Sequence, residues 1–173
     1  MRYVLFVLLG IASIVLPGSV FNFANIGGII PDILLVTALS IVFLEKTGAG
    51  IVYAASAGIL YDVMFSSYIG LNAFAYVLVA AVAYAILRSM ARAKPLYLAI
   101  AGFCAYVAKE FILAFVIFLL GGNYDFLYML VRYILPGALV AAALMIPIYY
   151  LIRLFYIMNW MTPTKSSYED FME

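Results

Sequence analysis

The chain has 173 residues, of which 69% are hydrophobic and 10% are charged, and it contains no histidine. A soluble domain carries about 25% charged residues, and a water-soluble fold of this length could not bury so much apolar surface. The net charge of +1 gives no basis for binding nucleic acid. Without histidine and with Cys104 as the single cysteine, the chain has almost no ligands for zinc or haem and predicts no cofactor.

Six apolar runs in the sequence predict transmembrane helices, since roughly 20 apolar residues of helix cross a bilayer core. Each run is bounded by Gly, Pro, Asn or charged residues. The first run lacks a clean small-x-small cleavage site, so we interpret it as an uncleaved helix. The fold predicted is all-α integral membrane, with about six helices in residues 3–21, 30–44, 49–65, 70–87, 96–120 and a last run that starts between 128 and 132 and ends near 157.

The stretch 126–157 is too long for one upright helix. We expect it to start as an interfacial piece that carries Tyr124, Phe126 and Tyr128. Pro136 and Pro147 lie about three helical turns apart and share a face, so we expect them to bend this helix.

The basic residues predict the orientation, because cytoplasmic loops are enriched in Lys and Arg. A cytoplasmic N-terminus places Asp32, Asp62 and Asp125 near the outer edges, with Arg132 as the basic residue there. We therefore predict a transmembrane domain of residues 1–161, a short cytoplasmic tail of residues 162–173, and both termini in the cytoplasm. The basic residues on the inner side are then Arg2, Lys46, Arg88, Arg92, Lys94, Arg153 and Lys165.

Small residues at every fourth position indicate close contact between membrane helices, because lipid provides no hydrophobic drive for helix association. Gly and Ala are also common in membrane helices, and this simpler explanation stays open. Two of the three rows continue to a charged residue, which favours placing that charge inside the bundle. The rows are Gly50, Ala54 and Gly58 leading to Asp62; Ala73, Ala81 and Ala85, which share a face with Val77; and Ala101 and Ala105 leading to Lys109.

Lys109 and Glu110 lie near the middle of the fifth predicted span, where an ionisable group must be paired or face a polar cavity. Adjacent residues on a helix point about 100° apart, so we expect each to meet a different neighbour. One interpretation is an interhelical clamp, with Lys109 bound to an aspartate of the second or third span. The other is a proton or substrate site. We also expect Arg132 to be buried with these groups.

Asp32 follows Pro31 at the predicted start of a helix, where a carboxylate favours the positive end of the dipole. Asp62 lies at the C-terminal end of its helix, where the dipole disfavours it, so it needs a cation or exposed amides as partners. No histidine base and no glycine-rich phosphate loop accompany these carboxylates. The sequence therefore predicts no enzyme and no catalytic residue.

Residues 58–63 (GILYDV) and 66–74 (SSYIGLNAF) resemble the rod shape-determining protein MreD family. That family has a glycine, a short apolar step and an aspartate at the end of one helix, here Gly58 and Asp62, and then a short turn. The next helix starts with Gly-Leu, here at Gly70, and Asn72 lies in the same motif. Residues 31–36 (PDILLV) open the second helix as the family often does, and the length and helix count fit over essentially the whole chain.

The resemblance implies a membrane scaffold of the elongation machinery in the bacterial inner membrane, which supports lateral peptidoglycan synthesis and cell shape. It implies an MreC-like single-span partner. It also implies that the protein acts close to the glycosyltransferase RodA, its transpeptidase partner and MreB filaments. The family is also similar in fold to the substrate-binding subunits of energy-coupling-factor vitamin transporters.

Two other functions stay open. A solute-binding subunit of such a transporter typically has an Ala-x-x-x-Ala pattern in its first helix, whereas this chain has Gly10, Ala12 and Ser13 there. The third possibility is a small enzyme or an ion-conducting protein.

Overall fold

The computed structural model describes residues 2–16, 31–45, 48–66, 69–87, 95–121 and 126–157, and within these ranges all regular structure is helical. The first five helices are α1 (Arg2–Leu16), α2 (Ile33–Leu44), α3 (Ala49–Phe65), α4 (Leu71–Leu87) and α5 (Pro95–Leu119). A last stretch, α6, begins as Phe126–Met129, passes through a π-helical turn at Leu130–Ile134 and continues as Leu135–Ile157. The end of the first predicted span, the basic loop of residues 88–94 and the tail of residues 162–173 lie outside the described residues.

Helix α2 forms the centre of the bundle. All ten residues from Ile33 to Val42 are buried, and α2 packs against α1, α3, α4, α5 and α6. A helix that is apolar on nearly all sides is covered either by other elements or by lipid, and α2 is covered by other elements. The five remaining helices surround α2 and supply that enclosure.

The outer surface of the bundle is apolar. Large hydrophobic side chains such as Val52 and Phe118 are about 70% exposed (70% and 69%), and similar residues occur on every helix that surrounds α2. Soluble monomers rarely expose contiguous apolar surface of this extent. The described residues include two helices long and apolar enough to cross a membrane, Pro95–Leu119 and Leu130–Ile157, and four shorter apolar helices. The architecture is that of an all-helical membrane protein.

Two glycines of α3 allow close helix contact on different sides. A Cβ atom at Gly50 would overlap Val42 of α2, and a Cβ atom at Gly58 would lie 2.8 Å from the Cα atom of Ala73 on α4. Ala54, between them in the predicted row, is fully buried. The row therefore contacts α2 near its start and α4 near its end.

The predicted row on α4 is wrong beyond its first member. Ala73 is buried, but Ala81 is only partly buried and Ala85 is exposed. A step of four residues turns 400° at about 100° per residue, so each step drifts about 40° around the helix. The buried face of α4 instead continues through Tyr76 and Ala80, which follow by steps of three and four.

The same drift separates the two alanines predicted on α5. Ala105 is buried in the core, whereas Ala101 is partly buried and lines an open groove between α4 and α5. The backbone of α5 approaches α6 closely at Gly102, where an added Cβ atom would lie 3.1 Å from Cβ of Met145 and 3.2 Å from the Ala141 carbonyl oxygen. Gly102 belongs to none of the small-residue rows that the sequence indicated.

The start of α6 contains a π-helical turn that the sequence did not predict. The Leu135 amide donates to the Leu130 carbonyl, five residues back. Pro136 follows directly, and proline lacks an N–H and crowds the carbonyl four residues before it. A π turn moves the hydrogen bonds to the fifth residue, which accommodates proline at this position. Pro147 lies inside the regular part of α6.

A cluster of hydroxyl groups joins α1 to the bundle. Ser13 Oγ lies 3.2 Å from Thr37 Oγ1 of α2 and 3.2 Å from the Tyr53 hydroxyl of α3, and the last two are 3.1 Å apart. Hydrogen bonds between membrane helices have no competing water in the hydrocarbon region. This cluster therefore fixes the position of α1 around its own axis.

We expect Gly58→Ala to lower the free energy of unfolding by roughly 1–3 kcal/mol, because the added methyl group overpacks against the backbone of Ala73. Gly10→Ala is the matched control, since a Cβ atom there would meet its nearest neighbour, Ala57, at an ordinary 3.8 Å. The control should be neutral or stabilising, because alanine favours helix more than glycine does. Denaturant unfolding in detergent measures both; equal stability of the two variants would contradict the packing interpretation.

Candidate functional site

Lys109 of α5 forms two ion pairs inside the bundle. Its Nζ atom lies 2.8 Å from Oδ2 of Asp32 and 2.6 Å from Oε1 of Glu110. The side chains of Lys109 and Asp32 are each 8% exposed, and that of Glu110 is 23% exposed. We call these three residues the charged cluster; it contains one ammonium group and two carboxylates.

Asp32 joins three helices through its two carboxylate oxygens. Oδ1 accepts a hydrogen bond of 2.9 Å from the Leu35 amide and so caps the N-terminus of α2. Oδ2 accepts from Lys109 of α5 at 2.8 Å and from the Tyr76 hydroxyl of α4 at 2.9 Å. The cap holds the carboxylate at the end of α2, where the helix dipole also favours it.

Two tyrosine rings lie beside the ammonium group of Lys109. Its Nζ atom is 5.5 Å from the ring centroid of Tyr76 and 5.2 Å from that of Tyr106, within the range of cation–π attraction. Tyr61 packs edge-on against Tyr76. The ammonium group is therefore surrounded by carboxylates and aromatic faces on α2, α4 and α5.

The expectation that Lys109 and Glu110 meet different neighbours is wrong, because the two side chains bind each other. The argument from helix geometry used the Cβ directions alone. The four-carbon stem of lysine is long and flexible, so its ammonium group can contact both the adjacent glutamate and Asp32.

Asp62, near the C-terminal end of α3, caps the N-terminus of α4. Its Oδ2 atom accepts from the amides of Gly70 at 2.9 Å and Ala73 at 3.0 Å, and its Oδ1 atom accepts from Asn72 Nδ2 at 2.8 Å. Asp62 is 0% exposed. The amides belong to the first turn of α4, whose N–H groups have no partner within the helix. The carboxylate thus binds the positive end of α4 and closes the α3–α4 connection.

Gly70 adopts a left-handed backbone conformation in the turn that Asp62 caps. Its φ angle is +95°, in the region that residues with a side chain rarely adopt, and its amide donates to Asp62. Asn72 donates to Asp62 and also lies 3.4 Å from Ser66 Oγ. The structure therefore brings Asp62, Gly70 and Asn72 together at one turn.

Arg132 does not join the buried polar residues, so its predicted burial is wrong. Its side chain is exposed on the π-helical turn of α6. A long arginine side chain can extend its charged end away from apolar surroundings, and the position of its backbone alone does not bury it.

Several partners of the charged residues were missed by the sequence analysis. Tyr76 and Tyr106 contact Lys109, and Tyr156 of α6 donates a hydrogen bond of 2.6 Å to Glu45 at the C-terminal end of α2. Tyr156 and Glu45 are 111 positions apart. No local pattern links residues at this separation, and tyrosines near the ends of membrane helices are expected from the interfacial aromatic belts.

A groove of about 340 Å³ lies between α4 and α5 and opens to the outside of the bundle. Its lining is almost wholly apolar and includes Val82 and Ile86 of α4 and Ala101, Cys104 and Ala108 of α5. The side chains of the charged cluster do not line it. The groove is a lipid-facing feature, separate from the polar contacts that hold the helices together.

These features define a class of protein: an apolar helix bundle in which buried charged and hydroxyl groups such as Asp32, Lys109 and Thr37 bind one another across helices. Residues 1–158 match the family model described as rod shape-determining protein MreD, so the chain belongs to the MreD family. No curated protein and no solved structure matches the chain. The predicted family membership is confirmed, and with it a role in determining rod shape. MreD is a family of shape-determining membrane proteins associated with MreC, and it is not a known enzyme family.

We expect Lys109→Met to lower the free energy of unfolding by roughly 3–5 kcal/mol, because it leaves two carboxylates in the bundle without their cation. Asp32→Asn should restore part of the loss in the double variant, since asparagine is neutral and still caps a helix. Unfolding of the single and double variants in detergent gives the coupling energy. Strictly additive effects would contradict a direct Lys109–Asp32 interaction.

We expect Asp62→Ala to cost roughly 1–3 kcal/mol or more, because it leaves buried amide donors of α4 without an acceptor. The exchanged pair Asp62→Asn with Asn72→Asp should recover part of this loss. Asparagine at position 62 still offers one oxygen to the amides and its NH₂ group to the new aspartate. Thermal unfolding compares the variants, and an exchange variant no more stable than Asp62→Ala would argue against this hydrogen-bond arrangement.

Proposed function

We propose that this chain is a membrane scaffold of the rod-shape (elongation) machinery that binds an MreC-like single-span protein and supports lateral peptidoglycan synthesis. The observation that carries the proposal is the family match over residues 1–158, which covers nearly the whole chain. A scaffold in this pathway acts through the position and contacts of its helices. The polar contacts among α2, α4, α5 and α6 support such a role, because they hold the bundle in one arrangement.

The proposed topology has six transmembrane helices, with both termini in the cytoplasm of a bacterial inner membrane. Its support is the distribution of basic residues in the sequence and the six apolar helical stretches of the described residues. In this arrangement residues 1–161 form the membrane domain and residues 162–173 a cytoplasmic tail. The outer connections are short, so work outside the membrane is done by the partner.

The proposed fold is similar to that of the substrate-binding subunits of energy-coupling-factor transporters, which are also small six-helix proteins. A transport role is the alternative function. It is disfavoured because α1 lacks the Ala-x-x-x-Ala pattern with which such subunits meet their coupling protein. The scaffold proposal further includes contacts with RodA, its transpeptidase partner and MreB in the same assembly, either directly or through the MreC-like protein.

We expect the chain to co-purify with the MreC-like protein of the same cell when both are produced together and extracted in detergent. A single-span membrane protein outside the rod-shape pathway serves as the negative control. The chain should also restore rod shape to cells that lack their own MreD, as judged by light microscopy. Absence of the MreC-like protein from the purified material, together with tight binding of a vitamin, would overturn the scaffold proposal in favour of transport.

A further inference from the structure

The charged cluster does not balance its charge. Asp32 and Glu110 supply two carboxylates, and Lys109 supplies the one cation that either of them contacts among the described residues. The Tyr76 hydroxyl donates to the same Asp32 oxygen that Lys109 contacts, so Asp32 has a neutral donor in addition to the shared cation. The cluster therefore has a surplus negative charge, and it lies within a membrane helix, where an uncompensated charge is costly.

Glu110 is the most open member of the cluster, whereas Asp32 has two further donors in the Leu35 amide and the Tyr76 hydroxyl. The Glu110 side chain is 23% exposed, against 8% for Lys109 and 8% for Asp32. Arg132, on the neighbouring π-helical turn, is exposed and forms no ion pair with a described residue. Glu110 thus presents part of its side chain at the surface of the bundle, on the half of α5 nearer Leu119.

The surface around Glu110 is suited to a second helix. Val107 and Ala114 lie three residues before and four residues after it on the same side of α5, and both are partly buried. Ala114 leaves room for close approach next to the carboxylate. Ala108, which lines the α4–α5 groove, lies about 160° around the helix axis from Glu110. The carboxylate and the groove therefore face different directions.

We propose that this edge of α5, formed by Val107, Glu110 and Ala114, docks a partner membrane helix that brings a lysine or arginine side chain to the Glu110 carboxylate. Charge complementarity supports this docking, because a partner cation would complete a cluster of two carboxylates and two cations. Its charge-assisted hydrogen bond to Glu110 would neutralise the second carboxylate. The inference rests on the proposed function, since the partner is the MreC-like protein of the scaffold assembly.

Glu110→Gln tests the charge with almost no change of shape. We expect it to weaken the complex with the MreC-like protein at least tenfold in dissociation constant, measured by titration in detergent micelles. Arg132→Gln is the matched control, because it removes an exposed charge near the same end of the bundle, and it should leave the affinity unchanged. Equal binding by wild type and Glu110→Gln would overturn the docking proposal, as would loss of binding through Arg132→Gln alone.

Cysteine cross-linking tests the face without changing the charge. In a Cys104→Ala background, Ala114→Cys should cross-link to cysteines placed along the partner helix, and Ala108→Cys should not. Cross-linking from Ala108→Cys instead would place the partner in the groove and overturn the proposal, even if Glu110→Gln fails to fold. If the wild-type chain binds the partner but these tests fail, the docking proposal is overturned and the scaffold function stands. Wild-type chain that does not bind the partner overturns both proposals.

Discussion

Lipid offers polar groups no hydrogen-bonding partner, and the rest of the bundle depends on this constraint. The ion pair between Lys109 and Asp32 is its clearest result. A charge buried among these helices must therefore find its partner on another protein group. Asp32 does so through an amide, a hydroxyl and an ammonium group from three helices. The side chain therefore both starts α2 and fixes α4 and α5 around it.

Helix α2 is held in this way at both of its ends. Asp32 precedes its first turn, and Glu45 follows its last turn and accepts from Tyr156 of α6. Between them the helix is apolar apart from Thr37 and Ser40, so apolar packing alone would do little to fix its rotation or its position along its axis. The two carboxylates fix the ends of α2, and the hydroxyl cluster of Ser13, Thr37 and Tyr53 fixes α2 against α1 and α3.

The sequence predicted the helices well because apolar runs and their breaks are local signals. It also indicated that Asp62 needs exposed amides or a cation, since the helix dipole alone makes its position unfavourable; the structure supplies the amides of Gly70 and Ala73. The partners Tyr76 and Tyr106 had no such signal, because they depend on how distant helices pack. The predicted rows of small residues were wrong where the 40° drift of a four-residue step moved a residue off the buried face of its helix. The predicted burial of Arg132 was wrong because the position of a residue in a span does not determine the exposure of its side chain.

Asp62 and Asp32 also differ in how soon the ribosome synthesises the residues that they bind. Asp62 meets its last amide donor 11 positions later, so the α3–α4 hairpin can be complete as soon as α4 has emerged. Asp32 meets Tyr76 after 44 positions and Lys109 only after 77. The Asp32 carboxylate thus gains its cation only after Lys109 has left the ribosome, and a chain cut short before Lys109 would carry this carboxylate with neutral donors alone.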